Sequence, residues 1–217
     1  MIEPAPAAVA VPYPLPKRLL DKAVAGGLLV ALSPLAAVVG GAIALDMLLS
    51  PRDRGRWLYR EPRISQGRVF DILKFRTLRE DVLAGMSADD PHARLLEANP
   101  ANLTWAARRV IKPWYLDELP QLVNILRGDL SLVGPRPWPL SMVRDQLARG
   151  LDYRLLVRAG WTGPAQVRKT DPAIVERLDV EYVERCRRST GWQLVRYDLG
   201  ILRKTLGLVI RGQGLEF

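Results

Sequence analysis

Two residue types are nearly missing from this chain of 217 residues: there is one cysteine, Cys186, and one histidine, His92. A single cysteine excludes an internal disulfide framework and any cysteine-rich zinc module. A single histidine excludes metal sites built on two histidines and argues against a histidine general base. Chemistry here has to rest on carboxylates, lysine, arginine and hydroxyls. Acidic residues are also in the minority, 23 against 32 Lys and Arg, which leaves a net charge of +9 and a pI near 10.1. That balance favours an anionic partner: phosphate, nucleic acid or lipid headgroup. The length suits one domain with a real hydrophobic core and room for an appendage.

Charge is missing altogether from Ala23 to Leu45, a run of twenty-three residues. As a straight helix it would cover about 35 Å, enough to cross a hydrocarbon core of about 30 Å. Ser33-Pro34 interrupts it, and proline removes a helix hydrogen bond and clashes with the turn before it. Both flanks are basic: Lys17, Arg18 and Lys22 before, then Arg52, Arg54, Arg56, Arg60 and Arg63. Basic residues at both ends favour both ends on the cytosolic side, as in a helix–break–helix that dips into one leaflet. A single span with a proline kink also fits the spacing. Before this run, residues 1–16 hold five prolines and one charge, which predicts an extended, poorly ordered tail. No basic stretch precedes an apolar core there, so it does not read as a secretory signal.

The remaining residues, 51–217, mix charged and apolar positions with no internal repeat. Arg68 to Arg76 is rich in bulky and β-branched residues after a Ser65-Gln66-Gly67 turn signal, which predicts a strand or hairpin arm. Period two sets Lys74 and Arg76 on the face of Phe70 and Ile72, either as phosphate ligands or as solvated strand ends. Residues 87–102 read as a polar connection with a short helix inside. Leu119, Leu122, Val123 and Leu126 predict an amphipathic helix that ends at Gly128. Pro120 belongs in its first turn, so the helix should start near Asp117 or Glu118, with Asp117 as N-cap. A helix start favours ionised carboxylates and should lower their pKa. Such a carboxylate serves as a nucleophile or holds a divalent cation; it also simply caps a helix. Beyond the helix, Gly134-Pro135-Arg136-Pro137 presents Arg136 from a rigid turn suited to bidentate phosphate recognition. Arg108, Arg109 and Lys112 lie just before the acidic pair.

These segments, in this order, resemble the bacterial sugar transferases, monotopic phosphoglycosyl transferases that act on polyprenyl phosphate. The matching pieces are KRLLDKAV, Ser33-Pro34, REPRISQGRVFDILKFRTL, LDELPQLVNILRGDLSLVGPRP, WTGPAQV, LDVEYVERC and DLGILRKTLGLVIRGQG, across residues 17–214. The resemblance implies an α+β, mainly helical fold. It comprises a tail over 1–16, a re-entrant membrane helix over 17–50 broken at Ser33-Pro34, and a cytosolic catalytic domain over 51–217. A β-hairpin and amphipathic interfacial helices are expected in that domain.

Residue by residue, the resemblance makes Asp117 the nucleophile and Glu118 its partner and the Mg²⁺ ligand. Lys74 and Arg76 match the K-F-R-T motif at the active site, Arg136 the G-P-R-P arginine near substrate phosphates, and Lys112 a position where relatives usually carry arginine. Lysine there keeps the charge and loses the bidentate fork. Ala107-Arg108, Asn102-Leu103-Thr104, Ala159 and Arg168-Lys169 also depart from the family pattern, which bears on donor preference. The implied reaction moves a sugar 1-phosphate from a UDP-sugar to undecaprenyl phosphate and releases UMP, at the cytoplasmic face of a bacterial inner membrane, to initiate exopolysaccharide or another surface glycoconjugate. Nucleic acid is not an expected partner, and a homo-oligomer is left open. The chain matches the small catalytic-core form of the family. The alternative is a membrane-tethered basic protein that binds nucleic acid or acidic lipid without catalysis, with Asp117-Glu118 as a helix cap.

Overall fold

The computed structural model describes residues 10–86, 93–168 and 172–211. His92 and Lys169 lie outside them, as do residues 1–9 of the tail and 87–92 of the polar connection. The chain begins with helices α1 (Leu15–Ala31) and α2 (Ser33–Leu49), then strands β1 (Leu58–Ser65) and β2 (Arg68–Phe75). Short helices α3 (Glu80–Ala84), α4 (Ala93–Glu97) and α5 (Gln121–Arg127) lead to strand β3 (Ser131–Val133). Helices α6 (Leu140–Ala148) and α7 (Tyr153–Leu156) precede strand β4 (Gly160–Thr162). Helices α8 (Pro164–Arg168), α9 (Pro172–Arg188) and α10 (Gly191–Ile210) complete a mainly helical fold.

The break between α1 and α2 falls where proline dictates. Pro34 has no N–H to give the Val30 carbonyl, and the Ser33 hydroxyl donates to that carbonyl instead, at 2.8 Å. The two helices meet at a 58° bend. No single described helix is long and apolar enough to cross a membrane; the bent pair together has the length and hydropathy of a broken span or a re-entrant loop. The hairpin of β1 and β2 turns at Gln66 and Gly67, both at positive φ (48° and 72°), the primed turn that matches strand twist.

By packing, the described chain divides into two compact units. The first is drawn from Met1–Gly27, Pro62–Ile72 and Val123–Phe217. Its centre is a second, parallel pair of strands that sequence periodicity did not reveal: Ser131 pairs with Gly160 and Val133 with Thr162. Three-residue strands are too short to show alternation. The strands run into Gly134 and Gly163, and backbone approaches so closely that a Cβ on Gly160 would lie 2.0 Å from the Gly134 nitrogen. This contact fixes the turn that carries Arg136.

Buried polar groups tie helices to that strand pair. Lys17 donates to the Val133 carbonyl (3.1 Å) and to Asp198, while Tyr182 reaches the same carbonyl at 2.9 Å. Asp21 accepts from Tyr13 and from Ser131. Lys17 is therefore a buried structural cation and not a free flanking charge, and Arg18 and Lys22 are the exposed ones. Residues 10–14 carry no regular secondary structure, yet this part of the tail is held: Val11 is buried and its N–H donates to the Leu156 carbonyl at 2.8 Å. Arg154 is buried as well. Its guanidinium donates to Gln146, to Asp179 (2.8 Å) and to the Arg136 carbonyl (2.5 Å), and stacks 3.9 Å from the Trp138 ring. From the β1 end, Arg63 donates to the Pro137 carbonyl at 3.1 Å, so two arginines hold the turn by its backbone.

The second unit is drawn from Leu28–Glu61 and Leu73–Leu122. Val39 and Ile43 of α2 pack against Ala106, Ile111 and Leu116 in its core. Asp46, one helical turn beyond Ile43, is buried and accepts from the Ala106 N–H at 2.8 Å. The second arm of the broken helix thus supports the segment that ends at Leu116, next to Asp117.

Candidate active site

The site lies within the second unit, on the segment from Ala107 to Leu119. Residues Ala107–Ile111 form one π-helical turn and Lys112–Trp114 a 3₁₀ turn, after which Tyr115 takes φ +53°. A left-handed aromatic residue costs on the order of 1–2 kcal/mol. That reversal is followed by a second 3₁₀ turn, Leu116–Glu118, and it returns Asp117 to within 3.5 Å of the Lys112 ammonium.

Asp117 is consequently not the N-cap of α5, which corrects the sequence expectation. Pro120 offers no N–H to the Leu116 carbonyl, which bonds to Leu119 three residues on, at 3.2 Å. The α-helix starts only at Gln121. Its end is as expected: Gly128 at φ +86° donates to Ile125, and Asp129 to Asn124, a full Schellman cap. Its most buried face is rotated from the leucine pattern, with Gln121, Leu122, Asn124 and Ile125 inside and Val123 and Leu126 half-buried.

Around Asp117 the charges alternate. Its side chain is 2% exposed, and Oδ2 lies 3.5 Å from Lys112 Nζ and 3.8 Å from Lys74 Nζ with no hydrogen-bond partner. Lys74 also reaches Glu118 Oε1 at 3.4 Å. Lys112 donates to Glu97 Oε2 at 2.6 Å, and the other Glu97 oxygen accepts from the Thr77 hydroxyl. The structure therefore gathers Lys74, Lys112, Asp117 and Glu118, and adds Glu97 and Thr77. Glu97 carried no signal in the sequence, because it stands in the polar connection and only folding brings it to Lys112.

Burial pushes the Asp117 carboxyl above its ordinary range; Lys74 and then Lys112 oppose that, and Glu118 and Glu97 add to it. This reverses the lowered pKa expected from a helix start, because Asp117 accepts no capping hydrogen bonds and has little water around it. Ionised, it is an under-solvated anion between two ammonium groups, the state in which a carboxylate is most nucleophilic. Among the described residues no group of three or more His, Cys, Asp or Glu is placed to hold a metal ion.

Arg76 stands apart from this cluster in its contacts. Arg76 is buried, and its guanidinium donates to the carbonyls of Asp53 and Leu78 and pairs with Glu80 at 3.5 Å. It clamps the chain after α2 to the end of β2. Arg136 belongs to the first unit and is half-buried on its held turn. Arg108 and Arg109 are exposed.

Comparison with known proteins agrees with this arrangement of motifs. The chain is 37% identical over 180 residues to an undecaprenyl-phosphate galactose phosphotransferase of Salmonella typhimurium, covering 75% of this chain and 35% of that protein. It is 37% identical over 209 residues to a UDP-glucose:undecaprenyl-phosphate glucose-1-phosphate transferase of Caulobacter vibrioides, covering 88% and 68%. Against the exopolysaccharide production protein ExoY of Sinorhizobium fredii it is 34% identical over 215 residues, covering 91% and 87%. The chain thus spans about a third of the length of the Salmonella relative and most of ExoY. The sequence profile of the bacterial sugar transferases matches residues 13–212. This chain belongs to the bacterial sugar transferase family.

Proposed function

We propose that this protein transfers a sugar 1-phosphate from a UDP-sugar to undecaprenyl phosphate, with Asp117 as the covalent nucleophile. The observation that carries the reading is the buried Asp117 Oδ2, without a hydrogen bond and within 3.8 Å of both lysines. The names of the relatives supply the substrates. An oxygen of Asp117 attacks the sugar-linked phosphorus, the bond from that phosphorus to the oxygen of UMP breaks, and UMP leaves with its electron pair. An oxygen of the polyprenyl phosphate then attacks the same phosphorus and the bond to Asp117 breaks. The products are the polyprenyl-diphosphate sugar and the free carboxylate. Lys74 and Lys112 stabilise charge on the phosphoryl oxygens during both displacements, and Glu97 with Thr77 holds Lys112 in place. Arg76 positions the end of β2 and hence Lys74. Arg136 is assigned to phosphate recognition on the chemistry of its turn.

A divalent cation fits the donor set. Glu118 is 16% exposed and Asp117 Oδ2 lacks hydrogen bonds, so one or two carboxylates are on offer. That matches Mg²⁺ of the kind that takes its other ligands from water and substrate phosphates. Glu118 would hold the ion, which when bound supplies Lewis-acid neutralisation of the diphosphate.

For location, we read the bent α1–α2 pair as a re-entrant helix in one leaflet of a bacterial inner membrane, with the soluble part on the cytoplasmic face. The acceptor's polyprenyl tail stays in the bilayer, so the enzyme has to work at the headgroup plane.

Three outcomes test this reading. Asp117→Asn, with melting behaviour close to that of the parent chain, should lower UMP release in the presence of Mg²⁺ by at least about a thousandfold. A folded variant with parental turnover removes the nucleophile assignment. Lys112→Met takes away a charge that lowers the Asp117 pKa, so a higher pH is needed to ionise the carboxylate. The acidic limb of the kcat/KM profile should move upward, and an unmoved limb contradicts the coupling. Finally, cysteines introduced at Ala10 and Ser50, in a chain with Cys186 replaced, should label from the same side of the membrane; labelling from opposite sides would establish a spanning helix.

A further inference from the structure

The first unit carries a basic groove that the proposed chemistry leaves unused. Its volume is about 430 Å³, and it is lined by Arg168 of α8, Arg185 of α9, and Arg196, Tyr197, Gly200 and Lys204 of α10. The four cations are exposed, and none is ion-paired among the described residues. The nearest acids on α9 are engaged elsewhere: Glu184 holds Arg187 and Arg188, and Glu181 faces Arg177. Arg185 stacks 4.2 Å from the Tyr197 ring centroid, which orients its guanidinium without using up its charge. Nothing stands within 4 Å of where a Cβ on Gly200 would be, so the floor between Arg196 and Lys204 is open.

An apolar stripe adjoins this groove. Trp192, Leu199, Leu206 and Ile210 share one face of α10 and are 73%, 48%, 60% and 76% exposed. Arg196, Gly200 and Lys204 form the neighbouring row at i, i+4 and i+8. Unpaired cations cost self-repulsion and large exposed apolar side chains cost hydration; one amphipathic anion relieves both.

We propose that this groove seats the phosphodiester headgroup of an anionic phospholipid, whose acyl chains lie along the apolar stripe of α10. The site selects headgroups by charge: among the described residues that line the groove there are four cations and no carboxylate to receive the ammonium group of a zwitterionic lipid. This inference rests on the reading of the chain as working at a membrane surface and is independent of the Asp117 chemistry.

The test is calorimetric titration of the full chain in neutral detergent micelles with short-chain phosphatidylglycerol, short-chain phosphatidylcholine or inorganic phosphate. Phosphatidylglycerol should bind at least about tenfold more tightly than phosphatidylcholine. R185Q/R196Q/K204Q should abolish that preference, while R127Q/R144Q/R149Q, which neutralises three cations elsewhere on the same unit, should retain it. Equal binding of the two lipids overturns the proposal, as does an equal loss in both triple variants, which would mean diffuse charge attraction. Inorganic phosphate that binds as tightly as phosphatidylglycerol would make the groove a site for free phosphate. If neither lipid binds while Ala10 and Ser50 label from one side, the groove assignment alone fails; opposite labelling fails the membrane reading separately.

Discussion

A carboxylate taken almost out of water persists as an anion only if other charges hold it, and Asp117 depends on Lys74 and Lys112 for that. Much of the second unit serves to bring those three groups together. The left-handed Tyr115 folds Lys112 back over Asp117. Arg76 anchors the end of β2, from which Lys74 projects. Glu97 and Thr77 hold Lys112 from its other side, and the floor under Leu116 is packed by α2. The arrangement is a compromise. Burial raises the cost of the anion and sharpens its reactivity, and the lysines keep that cost bearable without donating a hydrogen bond to Oδ2 that would quench it.

The same constraint links the bent helix pair to the candidate site. Pro34 bends the helix, Ser33 satisfies the carbonyl that proline strands, and the second arm then packs Val39 and Ile43 on Leu116. A continuous helix would leave Asp46 without its partner at Ala106. The bend is therefore part of how the segment that carries Asp117 is supported within its unit.

What could be read from sequence was what local chemistry decides. Proline placed the helix break, Gln66-Gly67 marked the hairpin turn, and Gly128 ended α5 where the leucine pattern stopped. The acidic pair was legible as a motif, while its local geometry was not: one missing N–H at Pro120 moved the helix start to Gln121 and removed Asp117 from the cap. Its pKa followed burial in place of the helix dipole. The rest depended on distant partners. Glu97 meets Lys112 across fifteen residues, Lys17 meets Asp198 across nearly the whole chain, and Arg154 holds the Arg136 turn from eighteen residues away. No window along the sequence contains such pairs. The β3–β4 pair escaped for a related reason, since three residues on each side are too few to display a period.

The central claim is that Asp117 forms a bond to phosphorus before the lipid acceptor is involved, and a lipid-free half-reaction tests it most directly. Purified enzyme mixed with Mg²⁺ and its UDP-sugar, without polyprenyl phosphate, should release up to one UMP per active site in a short burst and gain the mass of one sugar phosphate. That mass should map to the peptide holding Asp117 and Glu118 and disappear when polyprenyl phosphate is added. If neither UMP nor an adduct forms without polyprenyl phosphate, yet the two substrates together react, transfer is direct within a ternary complex, and Asp117 acts as a base or metal ligand.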